Sequence, residues 1–252
     1  MTVSSDLGSI IVRALITDRQ KAGQLFVPMH WTDQYAANAR VDTLVQPVVD
    51  SFSGQPALKS SVVNASLFKP TFYGFLVSAQ KPNFINEAYW ALAKCEGGWR
   101  AEFVLSANEV DLRNLGHRLF ANVSDLIPQT YSDMQQGDMR AVWFDNDWLM
   151  AAMYLSKVPV EVSRSFITEC LLQDYDDTHH RNQVLAGRNS AMMPDKGAII
   201  CSCFNVGANE IAESGCVTVN DVGSVLKAGT NCGSCRAEIR SLLQRVTAIA
   251  AE

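Results

Sequence analysis

Long apolar runs are missing from this sequence: nothing in its 252 residues approaches the roughly 20-residue stretch that a membrane-spanning helix needs. Nor does a basic segment followed by an apolar one open the chain, so no secretory signal is read there. Excess positive charge is missing as well. With 21 Lys and Arg against 26 Asp and Glu, the net charge is −5, and a chain without a basic face is a poor partner for nucleic acid or an anionic membrane. These absences predict a cytoplasmic protein whose cysteines stay reduced. Histidine is sparse, and the adjacent His179 and His180 cannot both face one metal from a regular element. Apolar residues are not lacking: at 48% they suffice for one large domain or for two to three small ones.

Seven cysteines are present, and four of them are patterned. Cys201-Ser202-Cys203 and Cys232-Gly233-Ser234-Cys235 form a C-x-C and a C-x-x-C with 28 residues between them. Each pair sits in a short turn containing Gly or Ser, which is the signature of a four-thiolate metal site. Such sites hold zinc or an iron–sulfur cluster. Structural zinc usually takes two wider knuckles, whereas a C-x-C places adjacent thiolates on one iron of a two-iron cluster. After Cys235 the residues Ile239, Leu242, Leu243, Val246 and Ile249 recur at helical spacing, so Cys235 falls at a helix N-terminus. The free N–H groups and positive dipole end there favour a net-negative cluster. Thr218-x-x-Asp221 caps a second helix carrying Val222, Val225 and Leu226 and ending at Gly229. Gly207, Gly233 and Ser234 are the expected backbone donors to the sulfurs. Cys170, among Phe166, Ile167 and Leu171, is read as a buried structural thiol, and Cys216 as no ligand, since four are already supplied.

Residues 198 to 247 resemble the bacterioferritin-associated-ferredoxin-like [2Fe-2S] domain, most closely the versions in assimilatory nitrate reductases. The likeness rests on Cys201-Ser-Cys-Phe-Asn-Val-Gly207 and Gly229-Thr-Asn-Cys-Gly-Ser-Cys235. It implies a small all-helical domain with Cys201, Cys203, Cys232 and Cys235 as cluster ligands. The family usually has about three more residues between the pairs, and their loss near Glu210–Gly215 removes nearly one helical turn, which predicts a shortened first helix.

The start of the chain reads as short strands broken by Gly8, followed within Asp18–Trp31 by another strand that ends at Pro28 and runs into an aromatic, polar loop. Asp50–Lys59 is rich in turn residues, and Val62–Phe68 returns as a strand. Residues 1–70 are thus predicted to be a β-rich domain with long loops. The order Asp18-Arg19, Gly23-Gln-Leu-Phe-Val-Pro28, His30-Trp-Thr-Asp33, Asn38 and Ser53-Gly-Gln-Pro-Ala-Leu-Lys59 is similar to the molybdopterin-dinucleotide-binding domain. That family implies a β-barrel at the C-terminal side of molybdenum oxidoreductases, with Asn38 and Lys59 contacting bis-molybdopterin guanine dinucleotide. The residue types suit that chemistry. Lys59 offers a mobile point charge to a phosphate or pterin oxygen, Asn38 and Gln55 can donate and accept at a heterocycle edge, and His30 and Trp31 could line the cleft.

Between these regions, residues 71–188 read as an α+β module with no chemical signature. Expected elements are strands at Phe72–Ser78 and Trp99–Leu105, helices at Asn86–Lys94 and Val110–Phe120, a hairpin of Arg140–Phe144 with Trp148–Tyr154, and a helix at Phe166–Leu171. Residues 189–197 suit a linker before the cluster domain at 198–252. The fold class expected is α+β and multidomain: barrel, middle module, helical cluster domain.

The pair of resemblances implies the C-terminal portion of an assimilatory nitrate reductase catalytic subunit, lacking the molybdenum-bearing domains that precede the barrel in that family. Its partners would be the remainder of the subunit and an electron donor: an NADH-linked flavoprotein, a ferredoxin or a flavodoxin. Alone it is expected to hold the cluster without turning over nitrate. A free-standing iron–sulfur adaptor and a zinc-stabilised interaction module are the other readings.

Overall fold

The structure is a computed structural model that describes residues 1–58, 61–85, 87–188, 196–201, 203–204 and 206–249, with side chains as far as 245. The chain divides into two compact units, Met1–Arg188 and Asn189–Glu252. Residues 1–70 and 71–188 thus share one unit.

In the first unit, β1 (Thr2–Ser4), β2 (Ser9–Ile11) and β3 (Asn64–Ser66) form an antiparallel sheet in the order β2-β1-β3. Val3 and Ile10 turn inward and pack with Val12, Ala36, Ala39 and Leu44. The expected barrel is not formed by the described residues. Three strands of three residues each are too few and too short to close a sheet on itself. The strand expected within Asp18–Trp31 is turn and coil, with Leu25 and Phe26 exposed, and among the described residues no strand pairs with it. The expected strand at Val62–Phe68 contracts to β3.

Six further strands build the main sheet: β4 (Phe72–Ser78), β5 (Tyr89–Cys95), β6 (Gly98–Leu105), β7 (Gln129–Asp133), β8 (Asp138–Asp145) and β9 (Trp148–Ser156). They are antiparallel throughout, in the order β5-β6-β4-β9-β8-β7. Three helices accompany them: α1 (Leu112–Leu119), α2 (Arg164–Glu169) and α3 (Thr178–Ala186). Alternation along the strands sends Leu76, Phe103, Trp143 and Met153 to one face, where Leu112, Leu115 and Leu119 of α1 cover them. Phe75, Val77, Val142 and Tyr154 go to the other face and meet Ile167 of α2 and Val184 of α3. Helix α1 lies close to the sheet because Gly116 has no side chain; a Cβ there would stand 2.1 Å from the Trp143 ring.

The helix expected over Asn86–Lys94 is a correction. Tyr89–Cys95 is strand β5, paired residue for residue with β6 through a turn whose Gly97 has φ of 80°. Ala, Leu and Lys favour a helix locally, and pairing to a waiting strand edge overrides that preference. The β8–β9 hairpin turns at Asn146, held in the left-handed region at φ 53° that Asn tolerates.

The second unit contains β10 (Ile199–Cys201) and β11 (Val206–Gly207), an antiparallel ribbon, followed by α4 (Ala208–Glu213), α5 (Val219–Leu226) and α6 (Arg236–Ile249). It is mainly helical, and the ribbon qualifies the all-helical expectation. At six residues α4 is short. No helix among the described residues is long and apolar enough to cross a membrane.

Candidate cluster centre and dinucleotide-binding loops

The two cysteine motifs are presented by the ends of four elements. Cys201 closes β10, and the ribbon returns through Val206 to Gly207, whose missing side chain is required: a Cβ would lie 1.9 Å from the Lys196 carbonyl. Helix α5 begins at a reciprocal cap. Asp221 N–H donates to Thr218 Oγ1 at 3.2 Å, and Thr218 N–H donates to Asp221 Oδ2 at 2.9 Å. The helix ends where Lys227 turns left-handed at φ 58°, and Gly229 and Gly233, both at positive φ, carry the chain past Cys232 to Cys235. Helix α6 starts on the next residue, with Ile239 N–H donating to the Cys235 carbonyl. Arg236 latches this loop down through Asn220 Oδ1 at 2.8 Å and the Gly229 carbonyl at 3.4 Å.

The four thiols come out as two pairs of different exposure. Cys201 and Cys235 are buried among Ile211, Val222, Ala228 and Ile239, whereas Cys203 and Cys232 are exposed. Cys203 Sγ and Cys232 Sγ stand 3.4 Å apart, and Cys201 hydrogen-bonds with Cys235. The close pairs of thiols run across the two motifs. Sulfurs sharing one tetrahedral metal with bonds of about 2.3 Å lie ~3.8 Å apart. The Cys203–Cys232 separation is close to that value. Among the described residues, no three or more His, Cys, Asp or Glu side chains are gathered around a single ion.

Hydrogen bonds to sulfur set the electrostatics. Burial pushes the Cys201 thiol up, but the N–H groups of Gly229 and Phe204, with Cys235, outweigh it and hold the thiol below its ordinary value. Cys232 is brought down to about 7 by the hydroxyl and N–H of Ser234, and then by Cys203. Burial, and then Cys201, pushes Cys235 up. Of the donors expected from sequence, Ser234 serves; Gly207 instead donates to Glu210 Oε2 at 2.8 Å, as part of the start of α4. Gly229 and Phe204 were missed, since only the turn geometry reveals where an N–H points. Paired thiols with N–H groups aimed at them are the donor set of a thiolate-ligated, net-negative iron–sulfur cluster. Cys216 is half-buried and faces the Ser214 carbonyl at 3.9 Å, and burial drives Cys170 up to about 12, as expected of an inert structural thiol.

The residues singled out in the first unit are distributed over several loops. His30 borders a 520 Å³ cleft with Leu25, Val41, Leu44 and Leu58. Trp31 borders a neighbouring one with Arg40, Pro56 and Leu58. Met29 and Leu58 line both clefts, so the His30-Trp31 loop and the Asp50–Leu58 loop meet there. Gln55 belongs to the second loop, which is folded by Asp50: its Oδ1 accepts from Phe52 N–H and Ser53 N–H, and these bonds with Ser53 hold its carboxyl below the usual value. Asn38, at φ 50°, donates from Nδ2 to the Ala88 carbonyl at 3.0 Å. Lys59 lies outside the described residues.

Comparison with known proteins accords with these two regions. Residues 199–245 match the BFD-like [2Fe-2S] binding domain, and residues 1–62 match the molydopterin dinucleotide binding domain. The chain therefore combines a [2Fe-2S]-binding domain with a molybdopterin-dinucleotide-binding domain, which defines its two cofactors. Over 96% of its length it is similar, at 30% identity, to a nitrate reductase of Klebsiella oxytoca, of which the alignment covers 28%. A nitrogen fixation protein NifU of Leptolyngbya boryana is 45% identical over 21% of the chain and 27% of that protein. A nitrite reductase [NAD(P)H] of Emericella nidulans is 38% identical over 23% of the chain and 6% of that protein. The chain thus spans less than a third of each of these relatives. No solved structure matches it significantly.

Proposed function

We propose that this chain is the C-terminal portion of a molybdenum-dependent assimilatory nitrate reductase, which reduces nitrate to nitrite in the cytoplasm. The observation that supports this most is the similarity running through 96% of the chain, including the middle region that neither domain family covers. On this reading residues 1–70 contribute part of the bis-molybdopterin guanine dinucleotide cradle. His30, Trp31, Asn38, Gln55 and Lys59 are its contacts, residues 71–188 are a spacer or docking module, and 189–197 are the linker to the cluster domain at 198–252. Cys201, Cys203, Cys232 and Cys235 hold the [2Fe-2S] cluster, which when bound supplies one-electron transfer towards a two-electron reaction. Exposed Cys203 and Cys232 form the edge open to an external donor: an NADH-linked flavoprotein, a ferredoxin or a flavodoxin. The remaining partner is the rest of the molybdenum subunit.

The test is metal and sulfide analysis with an optical spectrum on anaerobically prepared protein. Two irons and two sulfides per chain, with visible absorption, are expected; a colourless protein holding one zinc would remove the electron-transfer role. The same preparation is expected not to reduce nitrate with a chemical donor, and turnover by it would show that the reaction needs no further domains.

A further inference from the structure

Ser234 is the residue between the two ligands of the C-x-x-C, and its side chain has a particular partner. Its Oγ lies 3.1 Å from Cys232 Sγ, and its N–H points at the same sulfur. In the free thiol either atom could donate. A ligating thiolate has no proton and can only accept, so with the cluster bound the hydroxyl must be the donor. Cys232 is also one of the two exposed ligands, paired at 3.4 Å with Cys203, while Cys201 and Cys235 are in the core. The outer thiolate pair thus carries a side-chain hydroxyl donor, at the edge nearest solvent. Glycine at this position would keep the N–H and lose the hydroxyl.

We propose that Ser234 is a positioning residue that sets the reduction potential of the cluster through a hydroxyl hydrogen bond to Cys232 Sγ. This rests on the iron–sulfur reading of the site. A two-iron cluster with four thiolates gains one negative charge on reduction, and a donor to a ligand sulfur stabilises the more negative form. Removing the hydroxyl therefore makes the cluster harder to reduce, whereas a residue that only packed the loop would leave the potential where it was.

The experiment is a redox titration of the full chain by electron paramagnetic resonance, after iron and sulfide have been counted. Ser234→Ala is expected to load two irons and two sulfides and to shift the reduction equilibrium about tenfold towards the oxidised form, equivalent to 59 mV for one electron. Ser234→Thr, which keeps the hydroxyl, should return most of that shift. An unchanged potential in fully loaded Ser234→Ala would overturn the proposal, and so would a variant that no longer retains its cluster, since Ser234 would then be needed for assembly and not for tuning. Resonance Raman of the wild type and Ser234→Ala gives a second readout: the iron–thiolate stretches should differ, and identical bands would contradict the bond. A wild-type protein without iron would instead remove the reading beneath the proposal, which the metal count detects before any potential is measured.

Discussion

Glu87 keeps its carboxylate 2% exposed, accepting from Arg118 Nη1 at 2.6 Å and from Ile85 N–H at 3.0 Å. The guanidinium reaches it from α1, so the pair ties the start of β5 to the helix covering that face. Arg118→Ala removes a charge-assisted bond to a carboxylate nearly out of solvent and is expected to destabilise the first unit by about 2 kcal/mol. Urea unfolding measures this, and a loss below about 1 kcal/mol would put the pair in the class of surface ion pairs. The pairing was not legible in the sequence, where Glu87 belongs to a run that reads as helix. The cluster cysteines were legible for the opposite reason. Metal ligation constrains both residue type and spacing, and the two motifs spell it out locally. The second coordination layer was legible only at Ser234, because the direction of the Gly229 and Phe204 N–H groups depends on turns that no spacing encodes.

Helices with chemical end signals were read well. Thr218-x-x-Asp221 predicts a cap, and the reciprocal bonds are there. Asp111 caps α1 by accepting from Arg113 and Asn114 N–H, an end signal that the expected helix over Val110–Phe120 did not use. Strands that depend on a distant partner were read less well: β5 is a strand because β6 pairs with it, and the strand expected within Asp18–Trp31 is coil, with no pairing strand among the described residues. The cap at α5 allows a quantitative check. Thr218→Ala should cost the second unit about 1 kcal/mol, seen in its denaturant midpoint. Asp221 adds a pH dependence. The Thr218 hydroxyl and N–H hold its carboxyl below the ordinary value of 3.8 in the folded state. A depressed folded value means that its stabilisation is fully present above the unfolded value and is lost as pH falls through the folded one. Asp221→Asn should therefore lower the midpoint at pH 7 and leave little difference from wild type once the solution is more acidic than the folded value. A difference independent of pH would show that the ionised carboxylate is not what stabilises the cap.

At the scale of the whole chain, stability is expected to be divided as the contacts are, between Met1–Arg188 and Asn189–Glu252. The first unit has a six-stranded sheet with a packed apolar cluster on each face. The second is small, and two of its thiols, Cys201 and Cys235, are themselves core residues beside Ile211, Val222 and Ile239. A domain of that size buries too little apolar surface to be robust alone, and ligand binding to its thiolates becomes part of its folding free energy. Removing the cluster by oxidation and chelation should therefore abolish or strongly lower the unfolding transition of the second unit while leaving that of the first in place. Differential scanning calorimetry of the loaded and stripped chain distinguishes the outcomes. Two transitions, of which only the one carrying the helical signal of α4 to α6 moves, are expected from separate cores. A single transition that falls as a whole would mean that the cluster supports both units, and an unchanged trace would mean that the four thiolates contribute no folding energy to the domain that presents them.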